Sequence, residues 1–95
     1  MNKEQKEIFC ITQEECAEVT QAISKIFRFG FDSTHPVTNK TNKECLEEEI
    51  GDLLAMIEIL IRRAIISDSS VNEARKLKME KLKKWSKIRL DPIQP

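Results

Sequence analysis

Apolar residues recur at three- and four-residue intervals through three stretches of the chain, the spacing at which side chains share one face of an α-helix. The first stretch runs from about Lys3 to Phe27, with Ile8, Ile11, Val19, Ala22, Ile23 and Ile26 in phase, and Gly30 is placed to stop it. The second opens on Thr41-Asn42-Lys43-Glu44, a capping box in which Thr41 binds the free amide at Glu44 and Glu44 reaches back. It runs to near Ile66. A similar pattern, Ser70-Val71-Asn72-Glu73, opens the third, which carries Val71, Ala74, Leu82 and Trp85 on one side and fades before Pro92. Thr12-x-x-Glu15 has the same spacing but falls mid-period, so it is read as accidental. The glycines are Gly30 and Gly51, and Pro36, Pro92 and Pro95 fall outside the periodic segments, so long helices run without breakers. The expected fold is all-α, an antiparallel helical bundle built as a single domain over residues 1–95.

The interruptions of this pattern carry the chemistry. On a helical wheel Glu15 falls near the middle of the first apolar stripe and Glu18 at its edge. In the second helix Cys45, Leu46, Ile50, Leu53, Met56, Ile57, Leu60 and Ile61 make a wide apolar face with Glu49 inside it and Asp52 on its border. Glu47 and Glu58 point away. If the two helices pack antiparallel, Glu15, Glu18, Glu49 and Asp52 converge, each pair at i, i+3 on one face. Gathering buried carboxylates is unfavourable unless cations compensate. A set of oxygen ligands with no histidine or thiolate alongside suits Mg²⁺ or Mn²⁺. A solvated acidic surface is the ordinary explanation for a lone E-x-x-E, but two such pairs that both enter apolar stripes shift the balance toward a metal site.

Composition narrows the setting. With 95 residues, 40% hydrophobic and 34% charged, the chain suits one small soluble domain. Sixteen basic and sixteen acidic residues cancel, so no global field steers the molecule onto nucleic acid. The charges are nevertheless separated: Glu44 to Glu58 holds six acids and no base, whereas Arg75 to Arg89 holds eight bases and Glu80. Cys10, Cys16 and Cys45 form no C-x-x-C pair, which argues against a disulfide framework and for a reducing cytoplasm. They are read as small core fillers. The N-terminus MNKEQKE lacks the apolar run of a signal peptide, and no stretch approaches the roughly 20 apolar residues of a membrane span.

The segment Glu14-Glu15-Cys16-Ala17-Glu18-Val19, followed by Glu48-Glu49-Ile50-Gly51-Asp52-Leu53-Leu54, resembles the E-E-x-x-E and E-x-x-D motifs of the all-α nucleotide pyrophosphatases of the MazG type. Relatives of that family include dimeric dUTPases and phosphoribosyl-ATP pyrophosphohydrolases. The similarity covers about residues 5 to 66, and Ser24-Lys25-Ile26-Phe27-Arg28-Phe29-Gly30 looks like the segment after the first motif in small, often phage-encoded, MazG-like proteins. The interval between the two motifs is longer here than in many MazG domains. The resemblance implies Glu15, Glu18, Glu49 and Asp52 as Mg²⁺ ligands. It also implies hydrolysis of a nucleoside triphosphate to the monophosphate and pyrophosphate, in a bacterial or phage-infected host cytoplasm, by a homodimer or homotetramer with sites near subunit junctions.

Other residues fit that chemistry. Metal held by carboxylates bridges phosphate oxygens and offsets developing charge. Glu14 and Glu48 flank the ligands and could hold a water or act as general base; the sequence does not choose between them. Phosphates also need protein cations, for which Lys25 and Arg28, and Lys78 and Lys81 on the third helix, are candidates, with solvated lysines as the plainer alternative for each. Phe29 and Phe31 could stack on a base or plug the core, and His35 reads as a solvent-exposed loop residue. The connection from Arg28 to Asn42 has the length at which loops are either functional or disordered. The second helix's apolar face spans about half its circumference, more than three helices cover, so a subunit partner is expected there.

Two alternatives stand beside the enzyme. One is a phosphoribosyl-ATP pyrophosphohydrolase relative, made less attractive by the short chain before Glu15. The other is a non-catalytic oligomeric helical interaction module whose basic third helix touches nucleic acid. A di-iron bundle is disfavoured because such sites use Glu-x-x-His pairs, and the one histidine lies in the loop.

Overall fold

The structure is a computed structural model that describes residues 1–90. It is all-α: α1 spans Lys3–Phe29, α2 Asn42–Arg62 and α3 Asp68–Trp85, and no strand is present among the described residues. An isolated antiparallel bridge ties Thr34, inside the loop that joins α1 to α2, to Thr41 at its end.

Each boundary has a local cause. Helix α1 starts with a capping box that the apolar period does not reveal. The Gln5 amide donates to Asn2 Oδ1 at 2.8 Å while the Asn2 amide donates to Gln5 Oε1 at 3.0 Å. The helix ends at Gly30, whose φ of +90° falls where side chains are disfavoured and whose amide donates to the Ile26 carbonyl at 2.8 Å. Thr12 lies inside α1 and donates its hydroxyl to the Ile8 carbonyl, so its capping-like spacing is indeed incidental. At the start of α2 the Thr41 box forms as expected, with the Glu44 amide on Thr41 Oγ1 and the Thr41 amide on Glu44 Oε1.

Two expected boundaries are corrected. Helix α2 stops at Arg62, four residues short of Ile66, because Ala64 turns to φ +56° and the Ile65 amide folds back onto the Leu60 carbonyl. Helix α3 begins earlier than Ser70: Ser67 is the cap, its hydroxyl accepting from the Ser70 amide. The helix stops at Trp85, and Pro92 lies outside the described residues.

Helices α1 and α2 lie antiparallel along one another. At one end Arg63 Nε donates to Glu4 Oε1 at 2.7 Å, and at the other Asn42 Nδ2 donates to the Gly30 carbonyl at 2.9 Å. Between them sits the apolar core, Ile8, Met56 and Leu60, flanked by the half-buried Ile11, Ile59, Ile65 and Ile66. The folded-back Ile65 and Ile66 thus contribute to the core although they lie outside the helix. Helix α3 buries no residue, and Trp85, expected on its apolar side, is 83% exposed. Cys10 and Cys16 are exposed and Cys45 half-buried, so the expectation that they fill the core is corrected: Cys10 and Cys16 fall on the outer face of α1.

Candidate metal centre

About two turns from the core, the facing stripes of α1 and α2 change from aliphatic to acidic. Glu15 and Glu18 sit one turn apart on α1, Glu49 and Asp52 one turn apart on α2, and the antiparallel pairing sets the two couples opposite one another. One carboxylate oxygen from each of the four residues lies within 4.8 Å of the others. Glu15 and Glu49 are half-buried and form the floor, while Glu18 and Asp52 are exposed and form the rim.

The floor is electrostatically unsatisfied. Glu15 Oε2 and Glu49 Oε2 are buried with no hydrogen-bond partner, a costly condition for an acceptor removed from water. A hydrogen bond shared with Glu18, then burial, then the charges of Glu18, Asp52 and Glu15 push the Glu49 carboxyl up to about 7. Burial, followed by the charges of Glu18 and Asp52, also raises Glu15 above the ordinary carboxylate range. Among the described residues the ion pairs engage Glu4, Glu48, Glu58 and Glu80, and none brings a cation to the four clustered carboxylates. Four converging carboxylates, two of which carry a buried, unpartnered oxygen, fit a hard divalent cation.

Beside the cluster a hollow of about 260 Å³ opens between the helices, lined by Glu18, Gln21, Ala22, Lys25, Asn42, Cys45 and Glu49. Lys25 therefore lines the hollow beside the cluster, whereas Arg28 turns onto the Phe29 ring with its guanidinium carbon 5.0 Å from the centroid. Glu14 is exposed on α1, and Glu48 is held in an ion pair by Lys40 from the preceding loop. Lys78 and Lys81 are not brought to the cluster within one chain. They ride on α3, which does not pack along α1 or α2, and Lys81 borders a separate depression with Leu77, Glu80, Lys83, Lys84 and Trp85.

The periodicity did not single out Asn42, Gln21 or Cys45 for this hollow. Asn42 is 8% exposed, a buried polar residue whose amide ties α2 to the end of α1. Its position just after the capping threonine was legible, but its bond to Gly30 joins residues twelve apart and has no local signature.

The profile of the MazG nucleotide pyrophosphohydrolase domain matches residues 3–88, nearly the whole chain. The chain belongs to the MazG family. No curated protein and no solved structure matches it. Membership of the MazG family, in a chain of this small size and all-α architecture, suggests nucleotide pyrophosphohydrolase activity. A nucleotide substrate and a metal requirement are in keeping with the MazG assignment and with the acidic cluster. No helix among the described residues is long and apolar enough to cross a membrane.

Proposed function

We propose that this MazG protein hydrolyses nucleoside triphosphates, deoxy or ribo, to the monophosphate and pyrophosphate, with Mg²⁺ held by Glu15, Glu18, Glu49 and Asp52. Mn²⁺ would satisfy the same donors. The observation that carries the reading is the pair of buried, unpartnered oxygens on Glu15 and Glu49 within a ring of four converging carboxylates. A nucleotide's phosphates are anionic and would be repelled by this floor. A bound divalent ion supplies the positive charge that draws the phosphates in and offsets the charge developed as water attacks.

The chain's own residues do the rest. Glu15 and Glu49 fix the depth of the site from the floor, and Glu18 and Asp52 close it from the rim. Lys25, in the adjoining hollow, meets a phosphate oxygen, and Arg28 lies one turn further on. Glu14 is the freer of the two candidate bases for orienting the attacking water, because Glu48 is already engaged by Lys40. Water adds across the α–β phosphate bridge, so the products are one monophosphate and one pyrophosphate.

The active unit is an assembly of identical chains, a dimer or tetramer of single domains spanning residues 1–95, working in a cytoplasm. The surface supports this. The chain exposes 8109 Å², against about 5,600 Å² for a compact monomer of its mass. Its radius of gyration is 16.4 Å, against about 12 Å for a compact domain of its length. The excess of roughly 2,500 Å² is what a subunit of an obligate oligomer covers. Lys78 and Lys81 reach a phosphate only if a neighbouring chain's α3 lies over the site. The deciding experiment is hydrolysis of a nucleotide panel with product identification, with and without EDTA. Pyrophosphate released only with Mg²⁺, and lost in Glu15→Ala and Glu49→Ala, supports the reading; orthophosphate alone, or undiminished turnover in both variants, refutes it.

A further inference from the structure

The loop between α1 and α2 is ordered by its own bonds. The Thr34–Thr41 bridge closes its second half, the His35 amide donates to the Lys40 carbonyl at 2.8 Å, and the Asn39 amide returns to the His35 carbonyl at 2.9 Å. His35 Nδ1 accepts from the amides of Val37 and Thr38 at 3.2 and 3.4 Å. In the neutral imidazole this leaves the proton on Nε2, which is then a donor. Asn42 anchors the far side through the Gly30 carbonyl.

This loop encloses a second hollow of about 290 Å³, lined by Lys25, Phe29, Ser33, Thr34, His35, Pro36 and Asn42. Lys25 and Asn42 line both this hollow and the one beside the carboxylates, so the two share a wall. Their characters differ. The first is acidic and faces the cluster; the second offers an aromatic ring, an imidazole and two hydroxyls, with no carboxylate in its lining. Phe29 is 58% exposed and has its ring steadied by Arg28, so it presents a fixed apolar surface without being part of the core. From Glu49 back to Asn42 is seven residues of α2, about 10 Å along the axis, the scale of the phosphate chain and sugar of a nucleotide.

We infer that the loop hollow of Phe29, Ser33, Thr34, His35 and Asn42 receives the base and sugar of the nucleotide whose phosphates lie at the carboxylate cluster, with Lys25 between them. The inference rests on the proposed hydrolase reading and adds to it where the nucleoside sits. The base lies against the Phe29 ring, since stacking on an aromatic suits any base. His35 Nε2 donates to an acceptor on the base edge, and the Ser33 and Thr34 hydroxyls meet the sugar. Lys25 meets the phosphate nearest the sugar.

The test separates the two ends of the ligand. Binding of an α,β-imido nucleoside triphosphate and of inorganic tripolyphosphate, which has no nucleoside, is measured by calorimetry with Mg²⁺ for the intact protein and for Phe29→Ala, His35→Ala and Glu49→Gln. Phe29 and His35 are exposed, and unchanged circular dichroism and melting temperature confirm that these variants fold. The expected result is about a tenfold weaker affinity of Phe29→Ala for the nucleotide analogue, a smaller loss for His35→Ala, and unchanged affinity of both for tripolyphosphate. Glu49→Gln weakens both ligands. Nucleotide affinity unmoved by Phe29→Ala and His35→Ala, or tripolyphosphate affinity falling equally, overturns the nucleoside hollow and leaves the hydrolase reading standing. Affinity for both ligands unmoved by Glu49→Gln overturns the hydrolase reading instead.

Discussion

Toward the start of α1, Ile8 meets Met56 and Leu60 across the α1–α2 seam; two turns further along, the same facing stripes carry Glu15, Glu18, Glu49 and Asp52. The two stretches share helices and pairing direction, and differ in side-chain chemistry. At the first, burial removes apolar surface from water and stabilises the pair. At the second, burial strips water from carboxylates that repel one another, so the pair is held together there in spite of its residues. The aliphatic end therefore supplies stability that the acidic end spends, a cost in keeping with the proposed metal site. Changes at the two ends should separate stability from activity.

The largest effect is expected at the acidic end. Glu49→Gln should lower pyrophosphate release from a nucleoside triphosphate by about a thousandfold, the consequence of losing several kcal/mol of charge stabilisation. In the metal-free protein at neutral pH the same substitution should raise the melting temperature, because it removes a carboxylate that Glu18, Glu15 and Asp52 oppose. A scan with and without Mg²⁺ checks both halves. A lower melting temperature without metal would mean that Glu49 supports the fold, and the contrast between the two ends would fail.

The opposite pattern is expected of Leu60→Ala. Leu60 is buried against Ile8 and Met56, and truncation should cost about 2–4 kcal/mol in denaturant unfolding, while the turnover of the fraction that remains folded is retained. Loss of turnover in fully folded Leu60→Ala would show that the core end tunes the site and is not separate from it.

How much of this was legible in the sequence follows the same division. Glu15 and Glu49 could be read as interruptions because a helical stripe is a strictly local pattern, and the Thr41 box was legible because Thr41 and Glu44 lie within one turn. The end of α2 was not, since Ile65 and Ile66 stay apolar after the helix has ended and serve the core from a folded-back turn. The start of α3 holds Ser67, Ser69 and Ser70, and Glu73 made Ser70 the more attractive although Ser67 is the cap. The cysteines and Trp85 were drawn inward by their chemistry, whereas position on the helix decides their exposure. Asn42 and the loop hollow depend on bonds across the chain, and the distance of Lys78 and Lys81 from the cluster depends on how α3 is set, neither of which a local pattern encodes.

A smaller effect is expected from pH. In the metal-free folded chain Glu49 is raised from 4.5 to about 7, so the folded state holds its proton more tightly than the unfolded one. Stability from this group is full below its ordinary range and is lost as pH rises through about 7. The metal-free melting temperature should fall over that interval, and Glu49→Gln should flatten the fall. Magnesium should reverse the trend, since metal binding needs the deprotonated carboxyl and strengthens as pH rises. A metal-free melting temperature that climbs from pH 5 to 7.5 would contradict the crowding of charge at the acidic end.

The smallest change lies at the aliphatic end and sharpens the contrast from the other side. Ala64 sits just past α2 at φ +56°, where its Cβ crowds the backbone, and it is needed there so that Ile65 can turn back onto the Leu60 carbonyl and reach the core. An L-residue in this region costs roughly 1 kcal/mol relative to glycine. Glycine in turn loses more freedom on folding, so Ala64→Gly should stabilise by somewhat less than 1 kcal/mol. For a chain this short that corresponds to a rise of about 2–5 °C in melting temperature. Magnesium affinity and turnover should not change, because Ala64 lies beyond Leu60 on the side away from Glu49. A drop in melting temperature would mean that the fold-back holds without a left-handed residue, while a change in magnesium affinity would show that strain at the core end is transmitted to the carboxylates.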